Sequence, residues 1–161
     1  MKASELLTHI RSELIKISDY TSEIENKALS FREEKTDVSA YLREYNYSAF
    51  KDICDLNGIS PDFDIDPFRV ESFTKAFVKY LDTYAPGDSE LKIYTLNVSL
   101  YLTFIAKKPL HPPEMSKTGL ITIIRKGGLF YCSEKSRYVK DSSSLCRYCV
   151  CRKLSDESDR M

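Results

Sequence analysis

No stretch of the sequence is apolar for long enough to cross a membrane as a helix, which takes about 18 consecutive apolar residues. The longest apolar window, Ile93–Ala106, has 14 residues and is interrupted by four polar ones. An acid, Glu5, stands where a secretory signal would have its apolar run. The sequence therefore predicts a cytoplasmic protein with no membrane association.

The chain also lacks a net charge, because 24 basic residues balance 24 acidic ones. The two signs are unevenly placed: residues 1–106 contain 12 Lys+Arg and 18 Asp+Glu, whereas residues 107–153 contain 11 and 3. A basic half joined to an acidic half indicates an anionic partner for the basic half, or docking of the two halves on each other.

Apolar periodicity predicts a mainly α-helical fold for the first two thirds of the chain. Apolar residues recur at spacings of three and four, which predicts helices over residues 4–17, 20–31, 36–45, 48–57 and 67–84. Asp66 is the expected N-cap of the last of these, with Pro67 at its first position. Residues 89–106 are apolar on almost every side, so they should form the buried central helix of a bundle of five or six helices.

The character of the sequence changes after residue 106. Three prolines around His111 exclude a helix there. Two β-branched and aromatic runs, residues 120–124 and 129–132, flank a Gly-Gly turn and predict a β-hairpin. A short helix or turn should follow over residues 142–151. We therefore expect a helical domain at residues 1–106, a small module at 107–153 and a flexible tail at 154–161.

The small module carries four of the five cysteines and one of the two histidines. An odd cysteine count inside the cell favours metal ligands or free thiols over disulfides. Cys146-x-x-Cys149 has the spacing at which both sulfurs reach one Zn²⁺, and Cys132 and His111 complete a tetrahedral shell. Cys151 is the rival fourth ligand, giving a four-cysteine site with His111 left free. Cys54 lies among apolar residues and is expected to be a buried small side chain.

Such a site is compatible with more than one function. A closed structural zinc predicts a non-enzymatic protein whose small module is an interaction surface, with another protein as the candidate partner. An open zinc position would predict a hydrolase, with Glu114 or Glu134 as the nearest acids in sequence. Neither acid belongs to a known zinc-hydrolase motif, so the structural site is favoured. The residues are compatible with both an enzyme and a binding protein.

A third hypothesis is binding of single-stranded nucleic acid. Basic side chains can follow the phosphates while aromatic rings stack on bases. The small module interleaves the two kinds, and the candidate residues are Arg125, Lys126, Tyr131, Arg147 and Tyr148.

The C-terminal half resembles a family of uncharacterised archaeal proteins found mainly in methanogens and their relatives. The shared marks are His111-Pro112, Tyr131-Cys132 with Lys135 three residues on, and Leu145-Cys146-x-x-Cys149. The resemblance implies that His111, Cys132, Cys146 and Cys149 are the ligands. Two residues depart from the family pattern, Pro113 in place of a small residue and Ser133 in place of a proline. The family has no assigned activity, so the resemblance supports the site and an archaeal source only.

Overall fold

Five helices precede residue 101 in the part of the chain described by the computed structural model, residues 1–30 and 38–156. They are α1 (Ala3–Ile15), α2 (Ser18–Ser30), α3 (Val38–Asp55), α4 (Pro67–Tyr84) and α5 (Ser89–Leu100). The mainly helical class is confirmed. Among these described residues, no helix has both the length and the apolar character needed to cross a membrane.

Helix α5 is the central helix, as the sequence predicts. It contacts α1, α3 and α4, and Val98 and Leu100 are buried in the interior. The predicted single α-helix over residues 89–106 is wrong in one detail, since Tyr101–Ile105 winds as a π-helix. The wider turn is still within the core, where Leu102 and Phe104 are buried.

Helix α3 replaces the two helices predicted over residues 36–45 and 48–57. No glycine or proline lies between them, so the backbone has no reason to break and continues as one helix. The predicted start of the first of these two helices, at residues 36 and 37, lies outside the described residues. Cys54 is exposed rather than buried, because the preceding residue, Ile53, occupies the inward position and is fully buried.

The predicted cap of α4 is confirmed. The Asp66 carboxylate accepts a hydrogen bond from the backbone N–H of Phe68 at 3.0 Å, and Pro67 is the first residue of the helix. This arrangement satisfies one of the N–H groups that a helix start leaves unpaired.

A three-stranded sheet follows the helical body. Strands β1 (Ile123–Lys126) and β2 (Leu129–Cys132) form the predicted antiparallel hairpin, and both turn glycines have positive φ, as the tight turn requires. A third strand, β3 (Arg152–Lys153), pairs in parallel with β2. Two residues give too short a pattern for a sequence-based prediction.

Short helical turns connect these strands. A 3-10 turn, Pro113–Thr118, precedes β1, and the short helix α6 (Lys135–Tyr138) follows β2. A second 3-10 turn, Leu145–Arg147, lies where a short helix or turn was predicted, and the Ser144 hydroxyl caps it.

Two hydrophobic clusters meet at the boundary between body and sheet. The larger fills the helical body and includes Tyr148 from the C-terminal region. The smaller lies under the sheet, and Val38 and Tyr41 of α3 pack against it. The division at residue 106 stays a prediction, because each cluster contains residues from both sides of it. The predicted tail is described only as far as residue 156.

Candidate metal centre

The four cysteines of the C-terminal region come from two segments of the chain, the end of β2 and residues 146–151. Cys132 ends β2, Cys146 lies in the second 3-10 turn, and Cys149 follows that turn. Cys151 directly precedes β3, whose parallel pairing places Lys153 opposite Cys132. The short third strand therefore returns Cys151 to the end of the hairpin.

The sulfur atoms form one cluster. The Cys151 thiol, which has one proton to donate, lies within hydrogen-bonding reach of the sulfurs of both Cys132 and Cys149. Cys146 lies close enough to interact electrostatically with Cys149 and Cys132. Cys151 therefore links Cys132 and Cys149 within this cluster.

Two of these sulfurs are surrounded by hydrogen-bond donors. Cys132 accepts from the Cys151 thiol and from the backbone N–H groups of Glu134 and Lys135, and these bonds lower its pKa to about 7 although burial opposes them. A sulfur that accepts several N–H donors is stabilised as a thiolate.

Cys149 has a matching set of donors. It accepts from the Cys151 thiol and from the backbone N–H groups of Cys151 and Leu110, which together with the nearby charge of Lys135 lower its pKa to about 6. Because Leu110 belongs to the segment that follows the π-helix, this contact joins the cysteine cluster to the helical body.

The other two thiols favour the protonated form. Sharing of the single Cys151 proton with the sulfurs of Cys132 and Cys149, together with burial, raises the pKa of Cys151. Burial likewise raises the pKa of Cys146, although the Ser144 hydroxyl acts in the opposite direction. The cluster therefore contains two sulfurs whose pKa is lowered and two whose pKa is raised.

His111 lies beside this cluster without joining it. Its imidazole has no hydrogen-bond or ion-pair partner within residues 1–30 and 38–156, and burial alone lowers its pKa. The side chain lines the same cleft as the four sulfurs. It is therefore a neutral imidazole that faces the cleft, one residue after Leu110.

No group of three or more His, Cys, Asp or Glu side chains is arranged to hold a metal ion in the described ranges, 1–30 and 38–156. The sulfur contacts are those of hydrogen-bonded thiols. Both the predicted shell of His111, Cys132, Cys146 and Cys149 and the rival shell with Cys151 stay predictions.

A cleft of about 730 Å³ separates the sheet region from the helical body. Helices α3, α4 and α5 form one wall, and the cysteine cluster with α6 forms the other. Glu134 lines this cleft, whereas Glu114 is exposed at the start of the 3-10 turn. Of the two acids nearest in sequence to the predicted ligands, Glu134 shares the cleft with them.

Similarity to other proteins places the chain in a family. Residues 2–154 match the family DUF2115, described as an uncharacterized protein conserved in archaea. The chain belongs to this family. A UPF0305 protein of Methanocaldococcus jannaschii is 29% identical over 164 residues, which cover 97% of this chain and 99% of the relative.

Two further relatives come from other methanogens. A UPF0305 protein of Methanothermobacter thermautotrophicus is 29% identical over 157 residues, covering 93% of this chain and 90% of that protein. One from Methanococcus maripaludis strain C6 is 30% identical over 95 residues, or 59% of this chain and 57% of the relative. No solved structure matches the chain. The resemblance to an archaeal family is confirmed at the level of the family.

The residues proposed for nucleic-acid binding divide into two kinds in this DUF2115 chain. Arg125, Lys126 and Arg147 are exposed. The rings of Tyr131 and Tyr148 are 2% and 6% exposed, so neither presents a face on which a base could stack. Binding of single strands stays a prediction that only the exposed cations support.

Lys135 is the site residue that reasoning from residue types did not identify. Its side chain is 9% exposed, and its ammonium donates to the carbonyl oxygens of Cys146 and of Cys149. A lysine three residues after a cysteine carries no general signal of burial. In the sequence, only the resemblance to the archaeal family had singled out Lys135.

Proposed function

We propose that this protein binds one structural Zn²⁺ through Cys132, Cys146, Cys149 and Cys151, and that the closed C-terminal region is an interaction surface for another protein. The observation that carries the proposal is that four thiols from two segments of the chain interact with one another. Four thiolates are a common shell of structural zinc. The set differs from the predicted shell in containing Cys151 in place of His111.

The spacing of the sulfurs supports this set. Tetrahedral zinc with Zn–S bonds of about 2.3 Å holds neighbouring sulfurs about 3.8 Å apart. Hydrogen-bonded thiols have a similar separation, so the contacts of Cys151 with Cys132 and Cys149 resemble two edges of such a tetrahedron. Cys146 interacts electrostatically with Cys149 and Cys132 and is the fourth sulfur of the proposed set.

The backbone N–H donors support the same proposal, because they stabilise the negative charge of a thiolate. Cys132 and Cys149 each accept hydrogen bonds from two backbone N–H groups. These bonds stabilise the negatively charged form of each sulfur. Metal-bound cysteine is a thiolate and benefits from such donors, which are part of the outer shell of a metal site. A buried apolar cysteine would need none of them.

A structural role follows from where the cluster lies. Tyr148, between Cys146 and Cys149, packs on Phe73 of α4 with ring centroids 5.4 Å apart and bonds the Ser72 hydroxyl at 2.6 Å. Zinc at this turn would therefore fix the sheet region on the helical body. The exposed cations Arg125 and Lys126 would then be presented on a rigid surface, which suits a partner with an acidic face.

The test replaces Cys149 with serine and uses Cys54→Ser as the matched control, because Cys54 is exposed and outside the cluster. We expect one zinc per chain in the unmodified protein and in the control. Cys149→Ser should lose most of the metal and unfold at lower urea concentration, since structural zinc contributes directly to folding. Equal zinc content in both variants, or none in the unmodified protein, would contradict the proposal.

A zinc-dependent hydrolase is a second candidate, which the position of Glu134 favours. This acid lines the cleft together with His111 and the cysteines, so it could transfer a proton beside an open metal position. Hydrolysis of a panel of ester and phosphoester substrates should then be lost in Glu134→Gln and kept in Glu114→Gln. Lack of hydrolysis by the zinc-loaded protein on the whole panel argues against this candidate.

A further inference from the structure

Lys135 has an unusual position for a lysine. It begins the short helix α6, three residues after Cys132, and its side chain is 9% exposed. Lysine is seldom buried unless its charge has a partner. Among the ion pairs of residues 1–30 and 38–156, no carboxylate pairs with Lys135.

The partners of the ammonium are the backbone of the cysteine turn. Lys135 Nζ donates to the carbonyl oxygen of Cys149 at 2.9 Å and to that of Cys146. Both carbonyls belong to the Cys146-x-x-Cys149 turn, so the side chain holds that turn at its two ends. The turn cannot open without breaking both charge-assisted hydrogen bonds.

The backbone of the same residue holds the other cysteine segment. The Lys135 N–H donates to the sulfur of Cys132, at the end of β2. One residue therefore joins the hairpin cysteine to the turn that carries Cys146 and Cys149. This double attachment sets the separation between the two segments.

The charge of Lys135 also acts on the sulfurs. Its ammonium interacts favourably with the thiolate forms of Cys146 and Cys149. Four thiolates around Zn²⁺ carry a net charge of −2, which is costly to bury. A lysine inside the cluster reduces that net charge to −1, and the negative sulfurs in turn offset the cost of burying the lysine.

We propose that Lys135 is a positioning residue of the zinc site, whose ammonium joins the two cysteine segments and neutralises part of the thiolate charge. This inference rests on the zinc site proposed above. It assigns to the lysine an outer-shell role of the kind whose removal costs about 10–100-fold in metal affinity. The role differs from that of a lysine that only fills space.

The experiment measures zinc affinity by competition with a chromogenic chelator. Lys135→Gln keeps a hydrogen-bond donor and removes the charge, whereas Lys135→Met removes both and keeps the length of the side chain. Lys140→Gln is the matched control, because Lys140 is an exposed lysine of the same region. We expect zinc affinity to fall about 10-fold in Lys135→Gln and up to about 100-fold in Lys135→Met, with a change under about twofold in the control.

A spectroscopic measurement separates the charge from packing. With Co²⁺ in place of zinc, the thiolate-to-cobalt charge-transfer band reports the energy of the sulfur electrons. Loss of the neighbouring positive charge raises that energy, so the band of Lys135→Gln should move to longer wavelength. A lysine that only packs would leave the band in place.

The outcomes distinguish this inference from the proposal beneath it. An unmodified protein that binds no zinc overturns both. Normal zinc binding with unchanged affinity and unchanged cobalt spectra in the two Lys135 variants overturns the positioning role alone. Should Lys135→Met fail to fold, the affinity and cobalt band of Lys135→Gln decide the question.

Discussion

Replacement of Tyr148 should uncouple the cysteine turn from the helical body. The ring is 6% exposed and meets Phe73 edge-on with centroids 5.4 Å apart. Truncation of a buried aromatic ring to alanine costs about 3–5 kcal/mol, because the contacts are lost and a cavity remains. We therefore expect Tyr148→Ala to lower the free energy of unfolding by about that amount.

The hydroxyl of Tyr148 gives a second, smaller effect that can be measured separately. It bonds the Ser72 hydroxyl at 2.6 Å and accepts from the Arg147 guanidinium at 2.7 Å. Tyr148→Phe removes these bonds and keeps the ring, so it should cost about 0.5–1.5 kcal/mol. A double-mutant cycle of Tyr148→Phe with Ser72→Ala isolates the bond between the two side chains.

The assay is urea unfolding in the presence of a chelator, so that metal binding does not enter the comparison. Tyr84→Ala serves as the control, because Tyr84 is an aromatic residue of the contacting helix α4 and is 71% exposed. It should cost less than about 1 kcal/mol. Equal losses in Tyr148→Ala and Tyr148→Phe, or a loss in Tyr148→Ala no larger than in the control, would refute the proposed role of this ring.

Two further predictions concern pH and a helix cap. Zinc affinity should fall about 100-fold per pH unit from pH 8 to 7, since Cys146 and Cys151, whose pKa values are raised, must each lose a proton on binding. Below pH 7 the zinc affinity should fall more steeply, because the pKa of Cys132 is about 7 and this thiol then also gains a proton. Chelator competition at several pH values measures the affinity. A zinc affinity that does not change with pH would contradict the prediction. Asp66→Ala should lower the free energy of unfolding by about 1 kcal/mol in urea titration, because the N–H of Phe68 loses its partner, and an unchanged midpoint would count against the cap.

The helical body was largely predictable because its signals are local. Asp66 followed by Pro67 marks a helix start in any sequence, and the apolar run at residues 89–106 indicates burial wherever it occurs. The division of residues 36–57 into two helices was wrong, since helix continuation depends on packing as well as on propensity. The prediction that Cys54 is buried was wrong for the same reason, because the elements packed against a helix decide which of its faces points into the core.

The four cysteines could be singled out from the sequence, whereas their arrangement could not. The spacing of Cys146 and Cys149 indicates a common site, but the central position of Cys151 depends on strand β3, which is two residues long. The N–H donor from Leu110 to Cys149 depends on the path of the chain after the π-helix. Long-range contacts of this kind leave no local pattern in the sequence.

Lys135 illustrates the same distinction for a charged residue. In the sequence it is one of 24 basic residues, and composition places it with the exposed cations of the C-terminal region. Its burial follows from the meeting of α6 with the cysteine turn, where two carbonyl groups are available to the ammonium. The chemistry of the partner groups, which only the fold brings together, decides its role.

The measurement that tests the central claim most directly is X-ray absorption at the zinc edge, made on protein whose zinc content per chain has been determined. One zinc per chain with four sulfur neighbours at about 2.3 Å is the expected result. A nitrogen neighbour at about 2.0 Å with three sulfurs would replace Cys151 by His111 as a ligand. Absence of zinc from freshly prepared, reduced protein, with no uptake of added metal, would contradict the claim altogether.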